Sequence, residues 1–309
     1  MSTQDLNEDT ITSAVLARAR RAKSARFKKV IGSLVRHLHD FAREVMLTEE
    51  EWAYGIDFLT RTGQKCDDKR QEFILLSDTL GLSTLLTQLN HRSHGDETEQ
   101  TVWGPFHRLK TPRFRLGSNI SEGVRGAPCF VNITVRDSAG KPVKGATVDV
   151  WHSDDDGFYD VQHQEWNGAM RMRGVFKPDT DGRVWFRTIL PTAYPVPTDG
   201  PVGELLKASA RHPMRPAHMH FLIEAPGYDR LVTHVFNNGD KYLDSDAVFG
   251  VRKSLVRTYP KHKPGIAPDG TRMTKPYHTL DFDFVMRPAK RATKRAAKKR
   301  STKPRKSAS

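Results

Sequence analysis

The chain has 309 residues, 37% hydrophobic and 28% charged, which is typical of a globular protein of one large or two modest domains. These proportions exclude a collagen-like or wholly disordered chain. No apolar run approaches the ~18 residues of a membrane span, and the N-terminus lacks the pattern of a signal peptide. Because the two cysteines, Cys66 and Cys129, cannot form a disulfide framework, we expect a cytoplasmic protein.

The net charge of +14 is concentrated at the C-terminus. Residues 287–309 contain 11 of the 50 Lys and Arg residues and no Asp or Glu, which leaves a net charge of +3 for residues 1–286. This basic tail has almost no apolar side chains to offset the entropy of ordering, so we predict that it is disordered. Its composition is equally consistent with a solubilising tail and with a nuclear address or an arm that binds polyanions.

The first third of the sequence predicts helices. A basic extension over residues 1–27 precedes a helical domain over residues 28–94. Within that domain, apolar residues recur at three-and-four spacing, and capping and stop signals separate the segments. We predict four helices: one across Ile31–Val45, one opened by the capping box of Thr48 and Glu51, one from Asp67 or Asp68 to Gly81, and a short one after Ser83.

Strand-like segments follow a connector over residues 95–128 that is rich in Gly, Pro, Ser and charge. Short alternating runs are separated by turn signals, without intervening helices of any length. The predicted strands are Phe130–Val135, Ala146–Trp151, Val184–Ile189, His218–Glu224, Leu231–Phe236 and Thr279–Val285. The pattern predicts a mainly β protein, with an antiparallel β-sandwich catalytic domain over residues 129–286 and a small N-terminal helical domain.

Two histidines and two tyrosines stand out as candidate metal ligands. His218 and His220 lie two residues apart on a predicted strand, so both imidazoles face the same side. Tyr159 and Tyr194 lie in loops just after strands, and a phenol ionises readily on ferric iron. The alternatives are partly exposed strand histidines and tyrosines that serve only in packing. The spacing alone does not decide between these readings.

Three segments, in chain order, carry a resemblance to a known family. VDVWHSDDDGFYDVQ, LPTAYPVPTDGP and RPAHMHFLIEAPGY resemble the intradiol ring-cleaving dioxygenases, non-haem Fe(III) enzymes that split catechols between the two hydroxyl-bearing carbons. The resemblance extends from about residue 30 to about residue 286. It implies that Tyr159, Tyr194, His218 and His220 bind the iron, with Tyr194 and His220 axial. It also implies that Tyr194 acts as an internal base and that Arg215 stabilises negative charge on the ring.

Other segments, such as SLVRHLHDFAREVMLTEEEW and GDKYLDSDAVFGV, resemble the hydroxyquinol-cleaving branch of this family. The expected reaction converts hydroxyquinol (1,2,4-trihydroxybenzene) and O2 to 3-hydroxy-cis,cis-muconate, the enol tautomer of maleylacetate. Catechol and chlorocatechol are the alternative substrates. His234 stands near the iron where the catechol-cleaving branch usually has glutamine, and we count it with the catalytic residues. The residues that match pocket positions are Leu75, Asp78, Val102, Trp103 and Gly104.

Asp78 is the candidate for substrate choice, because its carboxylate can accept a hydrogen bond from the third hydroxyl of hydroxyquinol, which catechol lacks. A solvated helix carboxylate is the alternative interpretation. The resemblance also implies a homodimer formed through the helical domain, with lipid at the interface. Two rival functions remain at this point: a β-sandwich binding module with incidental histidines, and a nucleic-acid binder that acts through the basic tail.

Overall fold

The computed structural model describes residues 6–68, 70–92 and 95–289. Six α-helices are present in these ranges: α1 (Ile11–Ala19), α2 (Ala25–Glu44), α3 (Glu49–Gln64), α4 (Glu72–Thr79), α5 (Leu82–Asn90) and α6 (Pro201–Ala208). The strands are β1 (Pro128–Asp137), β2 (Thr147–His152), β3 (Arg173–Phe176), β4 (Arg183–Ile189), β5 (Tyr194–Pro195), β6 (Met214–Arg215), β7 (His218–Glu224), β8 (Leu231–Asn237), β9 (Val256–Arg257), β10 (Lys261–His262), β11 (Gly265–Ile266), β12 (Arg272–Met273) and β13 (Tyr277–Met286).

The chain divides into two compact units between Gln64 and Lys65. The first unit holds α1, α2 and α3. Ser24 caps α2 by accepting a hydrogen bond from the backbone N–H of Phe27. The capping box is formed as the sequence predicts: the backbone N–H groups of Thr48 and Glu51 each donate to the other residue's side chain, at 3.0 and 3.2 Å. The boundaries predicted from the sequence, with a helical domain over residues 28–94 and a β-sandwich domain over residues 129–286, remain a proposal.

The second unit is a two-sheet sandwich flanked by α4, α5 and α6. One sheet has the order β10-β13-β1-β4 and the other the order β3-β2-β7-β8-β9. Apolar side chains that alternate along these strands form the core between the sheets, among them Val131, Ile133, Val135, Val148, Val150, Phe221, Ile223, Val235, Leu280 and Phe284. The predicted fold class, helices followed by a β-sandwich, is therefore confirmed, and each predicted strand is present.

The structure adds elements that the sequence pattern did not reveal. Strand β3 is short and begins with a buried arginine, so it lacks the usual alternation. Helix α6 begins at Pro201, a residue suited to the first helical position, and lies between two-residue strands where no helix was expected. Two pairings between these strands are parallel, β1 with β13 and β8 with β9. In each case the connecting segment returns the chain to the end of the sheet at which the first strand began.

The C-terminal strand ends close to the start of the predicted tail. The backbone N–H of Ala289 donates to the carbonyl of Gly227, and Arg287 Nε pairs with an Asp229 carboxylate oxygen at 2.9 Å. Residues 1–5 of the predicted extension and residues 290–309 of the predicted tail lie outside the described residues. Within the described ranges, no helix combines the length and the apolar character needed to cross a membrane.

Candidate active site

The two neighbouring strands β7 and β8 bring three histidines together. His218 and His220 point to the same face of β7, and His234 lies directly opposite His220 on β8. All three are buried, and one ring nitrogen from each lies within 4.8 Å of the others. The Nε2 atoms of His218 and His220 are 3.1 Å apart. The strand periodicity that placed both imidazoles of β7 on one side is thus observed in the structure.

The two predicted tyrosines reach the same point from their loops. The hydroxyl of Tyr159 lies 3.1 Å from His220 Nε2, and the rings of Tyr159 and Tyr194 are 5.3 Å apart in an edge-to-face arrangement. The hydroxyl of Tyr194 accepts a hydrogen bond of 3.2 Å from Arg215 Nη1. Burial raises the pKa of Tyr159 well above its ordinary value, and the nearby Tyr194 acts in the same direction. The structure therefore brings together all six residues that the sequence analysis assigned to the chemistry, Tyr159, Tyr194, Arg215, His218, His220 and His234.

A cavity of about 180 Å³ opens beside Tyr194 and Arg215. An engineered cavity of about 150 Å³ accommodates benzene, so this space suits one aromatic ring. Most of its lining is apolar, with side chains from α4, the connector, the segment that follows β5 and the segment near residue 248. The lining residues are Arg70, Gln71, Glu72, Ile74, Leu75, Asp78, Val102, Gly104, Pro105, Phe106, Tyr194, Val196, Pro197, Arg215 and Val248.

The predicted pocket residues divide between this cavity and its surroundings. Leu75, Asp78, Val102 and Gly104 line it, as expected from the resemblance. Asp78 is buried, and burial raises the pKa of its carboxyl above the ordinary value, although a hydrogen bond from Ser83 and the charge of Arg215 oppose this effect. Trp103 is not among the lining residues: its ring contacts His107 edge to face and lies under the guanidinium of Arg230.

Comparisons with known proteins agree with this geometry. Residues 114–288 match the family model described as dioxygenase, and residues 24–98 match the model described as catechol dioxygenase N terminus. The chain belongs to the intradiol dioxygenase family. The predicted family and enzyme class are thereby confirmed, and an incidental β-sandwich binding module is excluded.

Similar members of the intradiol dioxygenase family carry names that specify a trihydroxylated ring. The 6-chlorohydroxyquinol 1,2-dioxygenase of Cupriavidus pinatubonensis is 54% identical, over 92% of this chain and 99% of that protein. The hydroxyquinol 1,2-dioxygenase of Nocardioides simplex is 46% identical, over 93% of this chain and 97% of its own length. The solved structure of hydroxyquinol 1,2-dioxygenase from Pseudomonas putida DLL-E4 superposes with a TM-score of 0.85 at 48% identity, covering 91% of this chain and 99% of that one.

The donor atoms of this intradiol dioxygenase fit a resident metal ion. His218 Nδ1 donates to the carbonyl of Pro216 at 2.7 Å, which leaves the lone pair of His218 Nε2 facing His220. The Nδ1 atom of His220 and both ring nitrogens of His234 are buried without a hydrogen-bond partner among the described residues. Burial lowers the pKa of all three histidines well below the ordinary value, so neutral rings are available as ligands. A buried histidine cluster with adjacent phenols therefore offers the donor set of a metal site.

Two residues that hold the site in place, Trp151 and Phe106, were not predicted from the sequence, whereas Gly104 was predicted as a pocket residue. Trp151 of β2 stacks on the His220 ring at 4.7 Å, and Phe106 of the connector stacks on Tyr159 at 4.4 Å. Gly104 has a φ of +73°, and a Cβ there would lie 2.9 Å from His220 Cε1. These contacts fix the rings of Tyr159 and His220 against two aromatic side chains and one backbone turn.

Charged pairs secure the loop that carries Tyr159. The next residue, Asp160, is buried and accepts a hydrogen bond of 2.9 Å from Arg173 Nε. Farther along the loop, His163 Nε2 lies 2.7 Å from a carboxylate oxygen of Asp154, and His163 Nδ1 contacts Glu165. Partial burial opposes protonation of His163, but these two hydrogen bonds outweigh it and raise the pKa. Tyr159 is thus anchored on both sides of its position in the chain.

Proposed function

We propose that this protein cleaves hydroxyquinol with O2 between the carbons that carry the adjacent hydroxyls, giving 3-hydroxy-cis,cis-muconate. The observation that carries the proposal is the cavity beside Tyr194 and Arg215, which suits one ring and presents the buried carboxylate of Asp78 on an otherwise largely apolar wall. The printed names of the similar relatives support the same substrate class.

We infer that the metal is ferric iron and that Tyr159, Tyr194, His218 and His220 hold it. Two neutral imidazoles and two phenolates supply two negative charges, which suits a hard trivalent ion. When bound, the iron supplies Lewis acidity that favours ionisation of the two adjacent substrate hydroxyls. His234 stays a proposed catalytic residue, because one of its ring nitrogens lies within 4.8 Å of ring nitrogens of His218 and His220, and neither of its nitrogens has a hydrogen-bond partner among the described residues.

The residues around the cavity divide the remaining tasks. The phenolate oxygen of Tyr194 is the group that we assign to accept a substrate proton, because Tyr194 lines the cavity and its oxygen accepts a hydrogen bond from Arg215 Nη1. The guanidinium of Arg215 stabilises negative charge that develops on the ring. Leu75, Val102 and the other apolar residues exclude water from the reacting ring.

A chlorinated hydroxyquinol is a second candidate substrate. The side chains of Ile74, Leu75, Val196 and Val248 form an apolar part of the cavity lining, which accommodates a chlorine substituent without leaving a polar group unpaired. The name of the 54% identical relative specifies 6-chlorohydroxyquinol. Catechol and chlorocatechols remain the alternatives that lack a hydroxyl for Asp78.

The decisive experiment measures metal and turnover on the same purified preparation. We expect about one iron per chain, a visible tyrosinate charge-transfer band, and the highest kcat/KM for hydroxyquinol or its 6-chloro derivative among those two substrates, catechol and 4-chlorocatechol. The His220→Ala variant should lose both iron and colour. Full activity in a colourless, zinc-loaded protein would contradict the proposal.

We also propose a homodimer formed through the helical region, with lipid at the same face. Along α2, a row of apolar side chains is about half exposed, including Leu34, Leu38 and Phe41 at 50, 54 and 51%. Light scattering of the purified protein and mass spectrometry of extracted lipid test the two parts separately. A cytoplasmic location and polyanion binding by the basic tail stay proposals, supported by a content of two cysteines, too few for a disulfide framework, and by the composition of residues 287–309.

A further inference from the structure

Asp246 is a buried carboxylate on the loop between β8 and β9, and each of its oxygens binds Arg215. Arg215 Nε donates to Oδ1 at 3.1 Å, and Nη2 donates to Oδ2 at 3.4 Å. Each oxygen also accepts a backbone N–H, from Val248 at 3.3 Å and from Gly250 at 2.9 Å. The Asp246 carboxylate is therefore fixed by backbone N–H groups of its own loop while it accepts two hydrogen bonds from the Arg215 guanidinium.

Because Asp246 binds Nε and Nη2, only Nη1 of the guanidinium is not bound to this carboxylate. Nη1 lies 3.2 Å from the Tyr194 hydroxyl and 3.3 Å from His218 Nε2. Because the guanidinium is planar and its donors have fixed directions, holding Nε and Nη2 determines where Nη1 points. The direction of Nη1 is thus set by a residue 31 positions further along the chain.

The loop is also tied to the strand that carries Arg215. The backbone N–H of Ala247 donates to the carbonyl of Met214 at 3.1 Å. At Gly250 a Cβ would lie 3.0 Å from Arg215 Nη2 and 3.1 Å from Asp246 Oδ2, so the backbone packs closely over the ion pair. We propose that Asp246 is a positioning residue for ring cleavage, which holds the Arg215 guanidinium with Nη1 aimed at Tyr194 and the cavity. This inference rests on the proposed function of the site.

A second buried carboxylate makes this positioning necessary. Asp78 lies on the cavity wall and interacts electrostatically with both Arg215 and Asp246. If Asp246 lost its charge, its attraction for Arg215 would no longer oppose the attraction between Arg215 and Asp78. We expect the Arg215 guanidinium then to turn from Tyr194 and form an ion pair with Asp78, whose carboxylate we assign to the third substrate hydroxyl. Asp246 therefore keeps both groups available.

The first test compares Asp246→Asn with the matched control Asp244→Asn, an exposed aspartate on the same loop. In the iron-loaded D246N enzyme we expect kcat on hydroxyquinol to fall about 10- to 100-fold, the scale of a displaced catalytic group, with full iron content. The tyrosinate band should shift, because the hydrogen bond from Nη1 to Tyr194 changes. D244N should match the wild type in both measurements.

The second test is a double-mutant cycle with Arg215→Lys. If Asp246 acts through Arg215, D246N should cost much less in the R215K background than in the wild type. Gly250→Ala is an independent perturbation that presses on Nη2 and leaves both charges in place, and it should lower kcat and shift the band in the same direction as D246N. It decides the question if D246N fails to fold or to hold iron.

Three results would each overturn the inference. The first is a D246N enzyme with the kcat and band position of the wild type, and the second is a G250A enzyme that is unchanged in both. The third is a double-mutant cycle with R215K in which the losses of the two single variants multiply. Failure of the proposed function has a different signature, since the wild-type protein itself would then lack hydroxyquinol turnover or the tyrosinate band. If the wild type is active and D246N has the same kcat and band position, only the positioning role of Asp246 is refuted.

Discussion

Asp78 gives the sharpest test of substrate choice. Its side chain is 7% exposed and lies on the wall of a cavity sized for one ring. Burial raises the pKa of its carboxyl, because the ionised form loses stabilisation by water. A substrate hydroxyl that donates to this carboxylate replaces part of that stabilisation, whereas catechol leaves the buried acceptor unpaired at that position.

The size of the effect follows from one buried hydrogen bond to a charged group. Such a bond contributes roughly 1.5–3 kcal/mol, or about 10- to 150-fold in kcat/KM. We expect Asp78→Ala to lose this factor with hydroxyquinol, and Asp78→Asn, whose amide oxygen still accepts a hydrogen bond, to lose the part that depends on charge. Both variants should change little with catechol. The ratio of the two kcat/KM values, measured side by side on iron-loaded enzyme, should therefore move toward unity.

Val248→Ala is the matched control, because Val248 lines the same cavity without a polar group. Its substitution enlarges the cavity and should change both substrates by a similar factor. Equal losses on hydroxyquinol and catechol in D78N would refute the hydrogen-bond reasoning. A wild-type enzyme that turns over catechol as well as hydroxyquinol would refute the proposed substrate itself.

Three further outcomes are expected. Gly104→Ala should lower iron content and activity because its Cβ would lie 2.9 Å from His220 Cε1, whereas Gly140→Ala, which has a similar positive φ and open space around it, should cost only backbone strain and retain its iron. Deleting residues 290–309 should leave kcat and the thermal midpoint unchanged and abolish any salt-sensitive binding to nucleic acid, and a large loss of activity would contradict this. His163→Gln should lower the thermal midpoint at pH 5.5 but much less at pH 9, since a raised pKa stabilises the fold below about 6.5 and that contribution is lost as pH rises through the folded value.

Local pattern was enough to predict the strands that carry the chemistry. Alternation along Val148–Trp151 and His218–Glu224 reflects one face packed in the core, and the same alternation places His218 and His220 together. The helix pattern and the capping box at Thr48 are equally local. Short elements were missed: β3 is four residues long, and its first side chain is a buried arginine engaged in an ion pair.

Residues that act at a distance along the chain had no comparable signal. Asp246 reaches Arg215 from a loop, and Arg173 reaches Asp160, which lies 13 residues earlier in the chain, so neither pair is part of a periodic run. A buried ion pair is defined by two side chains that meet only after folding, and each partner read alone resembles an ordinary surface charge. The tertiary contact was therefore needed to find the groups that orient the predicted site residues.

The structure places the three clustered histidines on different elements from most of the wall that we assign to ring recognition. The histidines lie on β7 and β8, in the sheet whose core packing fixes their positions. The cavity wall comes instead from α4, the connector, the segment after β5 and the loop that contains Val248. Substitutions on α4 can consequently change which ring is accepted without moving a donor atom. Two features connect the proposed metal site with the wall. Tyr194 is a proposed ligand that also lines the cavity, and the loop of Asp246 supplies Val248 to the wall and two hydrogen-bond acceptors to Arg215, so a change in that loop affects recognition and chemistry together.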